Sequence, residues 1–189
     1  IMHRLHHTHT DTEMDPHSPA NHSNFWRTML ETRNNYSAIY TGKSIVDARY
    51  AKDLPQWQAF DRFAHNWITR IVWILIYTGF YIAFATAWWQ FLLLPFTIII
   101  GTLQGAVVNW WAHKFGYRNF DTEDTSKNIL PFDIVLWGES YHNNHHKFPG
   151  RPNNANRWFE FDCLYAVERI LDKMNIIRLK KAGSPLAIH

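Results

Sequence analysis

Between Ile71 and Ala112 the chain carries no Asp, Glu, Lys, Arg or His. No other stretch limits the fold as much. A bilayer core is ~30 Å thick and a helix needs about 20 apolar residues to cross it. The block therefore has room for two crossings and a tight turn. Trp88-Trp89-Gln90 suits the turn, because Trp favours a lipid–water interface. Spans are expected near 68–87 and 91–112. Two buried helices of a soluble protein are the alternative, and such helices rarely lack a charged face. Arg62 and Arg70 precede the first span, and Lys114 and Arg118 follow the second. The positive-inside rule then puts both ends on the cytoplasmic side. Two crossings also return the chain to its starting side, so the polar flanks can meet. The expected fold is all-α: an integral membrane helical bundle with a cytosolic helical cap.

The flanks read differently from the block. Asp15-Pro16-His17-Ser18-Pro19 breaks helix. From Asn24 to about Ala51 the mixed polar and aromatic sequence suits short helices at a membrane surface. Leu54-Pro55 reads as a helix start with Asp53 as its cap. Asp124 to Asn128 reads as a loop or helix cap, and Ile129 to Glu139 as a helix leading into the next polar cluster. Phe148 to Pro152 is a turn. Asp162 to Met174 is a helix, with Leu164, Val167, Ile170 and Leu171 on one stripe. The tail from Arg178 to Lys181 is basic.

The formal charge of +3 is too small to argue for nucleic acid, and no Lys/Arg run is interleaved with aromatics. A mild basic excess suits anionic lipid or an acidic partner. The single cysteine, Cys163, excludes an intrachain disulfide and any CxxC metal site. A metal must therefore be held by His, Asp, Glu or Asn. The chain begins on Ile1 and runs at once into a cluster of histidines, with no signal-peptide pattern. That opening reads as a cut rather than a natural terminus.

The twelve histidines are not scattered. His3/His6/His7 and His142/His145/His146 both follow HxxHH. On a helix, residues three and four apart share a face, and adjacent residues diverge by about 100°. One such cluster can serve two neighbouring metals, its adjacent pair splitting between them. Asn109 and His113 stand four apart at the end of the second span, where an ionisable group is a functional candidate. Imidazole suits Zn, Cu, Fe and Ni. A catalytic zinc needs only three protein ligands. Seven clustered histidines exceed that, so two metals are the economical reading. The Glu-x-x-His pattern of carboxylate-bridged di-iron bundles is absent. His17 and the carboxylates Asp11, Glu13, Asp15 and Glu139 are candidates to support the ligands, since a ligating His usually donates its other N–H. His9, His22, His65 and His189 read as surface residues.

HRLHH, TDTEMDPH, NWWAHKFGYRNF and GESYHNNHHKFP, in this order around the apolar block, resemble the membrane fatty-acyl desaturase family, which includes the stearoyl-CoA desaturases. The resemblance implies four transmembrane helices under a cytosolic cap that holds two irons. It assigns His3, His6, His113, His142 and His145 to one metal. His7 and His146 go to the other, with Asn109 reaching it through water. It implies two further ligands from an upstream HxxxxH box and two earlier spans, neither of which this sequence contains. It also implies removal of two hydrogens from an unactivated acyl chain, at a delta-9 position, with O2 and two electrons. No side-chain acid or base does this, so the cofactor carries the chemistry. The acyl carrier is coenzyme A, acyl carrier protein or a lipid. The electron donor is a partner such as cytochrome b5 or a ferredoxin. Trp110, Trp111 and Trp137 are candidate tunnel walls. Arg151, Arg157, Lys180 and Lys181 are a candidate docking face. A histidine-box hydroxylase or ketolase is the related alternative, and a non-catalytic metal-binding membrane protein is the alternative of another class.

Overall fold

The computed structural model describes residues 1–21 and 24–179. His22, Lys180, Lys181 and His189, each given a role above, lie outside the described residues. The described residues contain helices and isolated bridges but no strand. The chain divides into two compact units. One is Asp53–Gly105; the other joins Ile1–Lys52 to the chain from Ala106 onward.

In the first of these, α3 spans Gln58–His65, α4 spans Trp67–Phe84, and α5 begins at Leu94 and runs to Trp110. The helix start expected at Leu54-Pro55 lies later. Asp53 has φ 60° and Leu54 precedes a proline, which disfavours the helical region. The Asn66 side chain accepts the Ile68 N–H and starts α4. α4 ends at Phe84 rather than residue 87, because the Gln90 side chain takes the Thr86 and Ala87 N–H groups at 2.6 and 3.0 Å and turns the chain. A 3₁₀ turn over Trp88–Leu93 follows, and Pro95 stands in the first turn of α5, where its missing N–H costs nothing. Tyr81 and Thr97 join α4 to α5 through their hydroxyls at 2.8 Å.

Thr69 is the only buried residue of α4. Ile68, Leu75, Phe80, Ile82, Phe84 and Leu92 are each more than half exposed. Burying one such side chain is worth about 1.5–3 kcal/mol, so this surface is at ease only against apolar surroundings. Trp67–Phe84 and Trp88–His113 are both long and apolar enough to cross a membrane.

The second unit holds α1 (Met2–His9), α2 (Phe25–Tyr40), α6 (His142–Lys147) and α7 (Cys163–Lys173). Instead of several short helices, residues 24–51 form one helix, capped by Asn24, and a 3₁₀ turn at Ala48–Tyr50. α7 has the expected bounds, with Asp162 accepting the Tyr165 N–H. Its apolar stripe faces outward, with Ile170 57% exposed.

The helix expected over Ile129–Glu139 does not form. The buried Asp133 carboxylate accepts four backbone N–H groups instead, from Val135, Leu136, Gly138 and Ser140, at 2.7–3.1 Å. Trp137 and Gly138 turn to positive φ to permit this. A side chain competing for the backbone in this way breaks helix.

Candidate metal centre

α1 carries His3, His6 and His7, and α6 carries His142, His145 and His146. His113 ends a 3₁₀ turn, Trp111–His113, that follows α5. These seven imidazoles form two groups: His6, His113, His142 and His146 in one, and His3, His7 and His145 in the other. Within each group the candidate ligand atoms lie within 4.8 Å of one another. The adjacent pairs His6/His7 and His145/His146 divide between groups, as a 100° offset requires. The i,i+4 pairs stay together, with Nε2 atoms 3.1 Å apart for His3/His7 and 3.0 Å for His142/His146.

This partition differs from the one the resemblance implies. His3 and His145 sit with His7, and His146 sits with His6, because helical faces sort them. Asn109 is half-buried on α5. α5 ends one residue after it, and His113 closes the 3₁₀ turn that follows.

Behind the four-imidazole group stand carboxylates. His6 Nδ1–H donates to Asp15 at 2.8 Å, with both side chains buried. His146 Nδ1–H donates to Asp124 at 3.0 Å. His113 Nδ1 lies 3.1 Å from the Thr125 hydroxyl and 3.7 Å from Asp11, whose other oxygen takes the Thr125 N–H and O–H. Burial alone would raise the Asp15 and Asp124 carboxyls. The hydrogen bonds and charge attraction from His6 and His146, together with hydrogen bonds from neighbouring backbone and Ser126, outweigh it and hold both below their usual range. Burial drives the imidazoles toward neutrality, and their neighbours add to it. His3 falls to about 4, His145 to about 3 and His7 to about 2. His142 is likewise held well below its ordinary value.

The donor set fits metal ions. A neutral ring whose Nδ1–H is donated to a carboxylate has only a lone pair at Nε2. His6 and His146 both turn Nδ1 to a carboxylate, and their Nε2 atoms lie 3.2 Å apart. His142 Nε2 is 3.0 Å from both His113 and His146. Nε2 atoms brought together in this way suit a shared cation, which would take up their lone pairs. At a metal–nitrogen distance of about 2.1 Å, adjacent octahedral corners are about 3.0 Å apart. The His7–His145 distance in the smaller group, 2.9 Å, fits the same frame.

α6 is fixed by residues that sequence reasoning passed over. Asn128, fully buried, accepts the Asn143 and Asn144 N–H groups and so caps the helix from outside. Asn143 accepts the Asn119 and Phe120 N–H groups. Asn144 binds Asn119, Asn128, the Asn154 carbonyl and Glu160. The two asparagines inside HNNHH therefore anchor the face of α6 opposite its ligands. Asp124 was also missed; its only sequence signal was a place in a polar loop.

Of the proposed supports, Asp15 and Asp11 meet imidazoles, whereas Glu13 and Glu139 hydrogen-bond to none among the described residues. His17 stacks on His6 at 4.3 Å between ring centroids, and it is grouped with His6 and Asp15 as a third set able to take a metal. His9 reaches the Tyr50 hydroxyl at 3.3 Å. Trp110 is buried beside Phe25, with Lys114 over its ring, while Trp137 is half exposed.

Helices apolar enough to cross a membrane and a carboxylate-backed cluster of imidazoles define a class: helical proteins with a polyhistidine site able to hold metal. Within that class the chain belongs to the fatty acid desaturase family, whose family model matches residues 1–157. It is 28% identical to an sn-1 stearoyl-lipid 9-desaturase of Anabaena variabilis, over 92% of this chain and 61% of the relative. It is 29% identical to an sn-2 palmitoyl-lipid 9-desaturase of Nostoc, over 97% and 62% respectively. A delta-9 desaturase-like 3 protein of Arabidopsis thaliana is 31% identical, over 86% and 52%. The chain thus spans between about half and three-fifths of the length of these relatives. No solved structure matches it.

Proposed function

We propose that the protein containing this chain is a membrane-embedded acyl-lipid desaturase that forms a cis double bond at carbon 9 with a pair of irons. The observation that carries this reading is the convergence of seven imidazoles in two groups, four in one and three in the other. Family membership supports acyl chemistry, and the names of the relatives support carbon 9 and a lipid-linked chain. His6, His113, His142 and His146 would hold one iron. His3, His7 and His145, joined by ligands from upstream sequence, would hold the other. Asn109 would approach through water.

When bound, the irons supply the O2-dependent oxidation that no side chain can perform. The balance is simple. O2 takes four electrons, two from the C–H bonds and two from a donor such as cytochrome b5 or a ferredoxin. With two added protons, both oxygens leave as water. The chain's own residues keep the ligands aimed. Asp15 and Asp124 hold the Nδ1 protons of His6 and His146, which leaves their Nε2 lone pairs free for metal. α4 and α5 would cross the bilayer, with the imidazoles on the cytoplasmic side.

Expression of the full-length gene in a host lacking 9-desaturase activity tests the proposal. Lipid analysis should show new double bonds at carbon 9. A hydroxylated or keto lipid without new double bonds would instead assign the protein to the oxygen-inserting relatives. One labile zinc and no iron would indicate a non-catalytic metal-binding protein.

A further inference from the structure

We infer that Glu160 is a positioning residue for the metal centre: its buried carboxylate seats α6, which carries His142 and His146, against the segment that follows His113. The inference rests on the di-metal reading above and deepens it. Glu160 is 8% exposed, and donors from three parts of the chain converge on it. One oxygen accepts the Tyr117 hydroxyl at 2.7 Å and a side-chain N–H of Asn119 at 2.6 Å. The other accepts a side-chain N–H of Asn144 at 2.9 Å and the backbone N–H groups of Asn156 and Arg157 at 2.6 and 2.9 Å. Tyr117 and Asn119 follow His113 closely in the chain, and Asn144 lies between His142 and His146. Asn119 also donates to the Asn144 side-chain oxygen at 2.8 Å, which closes the joint.

The centre depends on this joint because one of its rings has no acceptor behind it. His142 Nδ1 is buried and meets no hydrogen-bond partner among the described residues. The seating of α6 therefore aims that ring. Its Nε2 nevertheless lies 3.0 Å from the Nε2 of His113, a distance that spans the two segments Glu160 holds together. A metal site keeps its groups within about 0.5 Å of working geometry only when packing and hydrogen bonds support them from behind.

The task suits a carboxylate and not an amide. An ionised carboxylate only accepts, and each group that meets Glu160 donates to it. Burial alone would raise its carboxyl, but hydrogen bonds from Arg157, Tyr117, Asn156 and Asn119 outweigh burial and hold it below the usual range. Glutamine has nearly the same shape, yet it turns an NH2 toward at least one N–H donor whichever way it flips. A glutamate that merely filled space would tolerate that exchange.

Full-length protein in detergent, loaded with Mössbauer-active iron, tests this. The readouts are iron affinity and the Mössbauer spectrum rather than turnover, both taken where each variant is fully folded. Glu160→Gln should bind iron about 10-fold more weakly, the lower end of the cost of disturbing a ligand's support, and its Mössbauer signal should shift or broaden. Tyr117→Phe removes one donor and keeps the carboxylate, so it should move the same signal less. A residue that only stabilises the fold would lower the melting temperature and leave both readouts at the parent values. That result for Glu160→Gln overturns the inference. Should Glu160→Gln fail to fold, Tyr117→Phe decides, and parent affinity with a parent spectrum overturns the inference. Fewer than two irons per chain in the parent overturns the di-metal reading, whereas the inference falls only if the bound iron ignores these variants.

Discussion

Single residues at this centre do separable jobs. His145 is one of three imidazoles in its group among the described residues, so His145→Ala in the full-length protein should reduce new double bonds to background in a lipid assay. Full activity would remove it from the ligand set. Asn144, beside His145 on α6, has a structural task. Its amide satisfies Asn119, Asn128, Asn154 and Glu160 at once. Asn144→Ala strands those buried partners, and each costs about 1–3 kcal/mol when left unpaired. The variant should lose several degrees of thermal stability and, through the tilt of α6, part of its iron. Normal stability in a thermal unfolding assay would show that water replaces the amide. HNNHH therefore alternates chemistry and anchoring along one short helix. The histidines were legible from their spacing; the anchoring role of Asn143 and Asn144 was not, because their partners lie in loops up to 25 residues away in sequence.

At the scale of elements, Asp133 shows why a helical reading failed. Pattern alone favoured a helix over Ile129–Glu139, but a single buried carboxylate gathers four N–H groups that a helix would have used elsewhere. Asp133→Ala should therefore cost at least about 3 kcal/mol, since it leaves several buried donors without acceptors. A change under about 1 kcal/mol in an equilibrium unfolding measurement would contradict this account. α4 offers a different contrast. Leu75 is 62% exposed on it. On a soluble surface Leu75→Asp would be nearly neutral, within about 0.5 kcal/mol. At the centre of a membrane span it costs about 2.5–3.5 kcal/mol. Alkaline-carbonate extraction of membranes should find the variant released more readily than the parent, and equal retention would argue against insertion of α4.

For the molecule as a whole, protons and metals compete for the same nitrogens. His145 titrates near 3 in the folded chain against an ordinary value of 6.5, and His142 lies well below that value too. Between about pH 6.5 and about pH 3 the unfolded chain holds more protons than the folded one, so stability falls as pH falls. Asp15 and Asp124 add the same sign: their folded carboxyls are depressed, and the stability they give is present above the usual 3.8 and lost below it. The metal-free full-length protein should thus be most stable above pH 6.5 and weaken steadily toward pH 4, as read by thermal shift. Equal melting temperatures at pH 7.5 and 4.5 would mean that the imidazoles are not held neutral by burial.

Composition and periodicity by themselves determined the apolar helical pair, the doubled HxxHH and the splitting of each adjacent histidine pair between two groups. All of these follow from local geometry, which is fixed by rise and turn per residue. Only the tertiary structure decided which imidazoles group together, that Asp124 and the Thr125–Asp11 pair stand behind the rings, and that Asn128 caps α6 from a distant loop. These depend on long-range hydrogen bonds between residues far apart in the chain, and no local period encodes such partners. The apolar block that limits the fold remained legible throughout, although its helices end where Gln90 and the 3₁₀ turn before His113 decide, not where hydropathy alone would stop them.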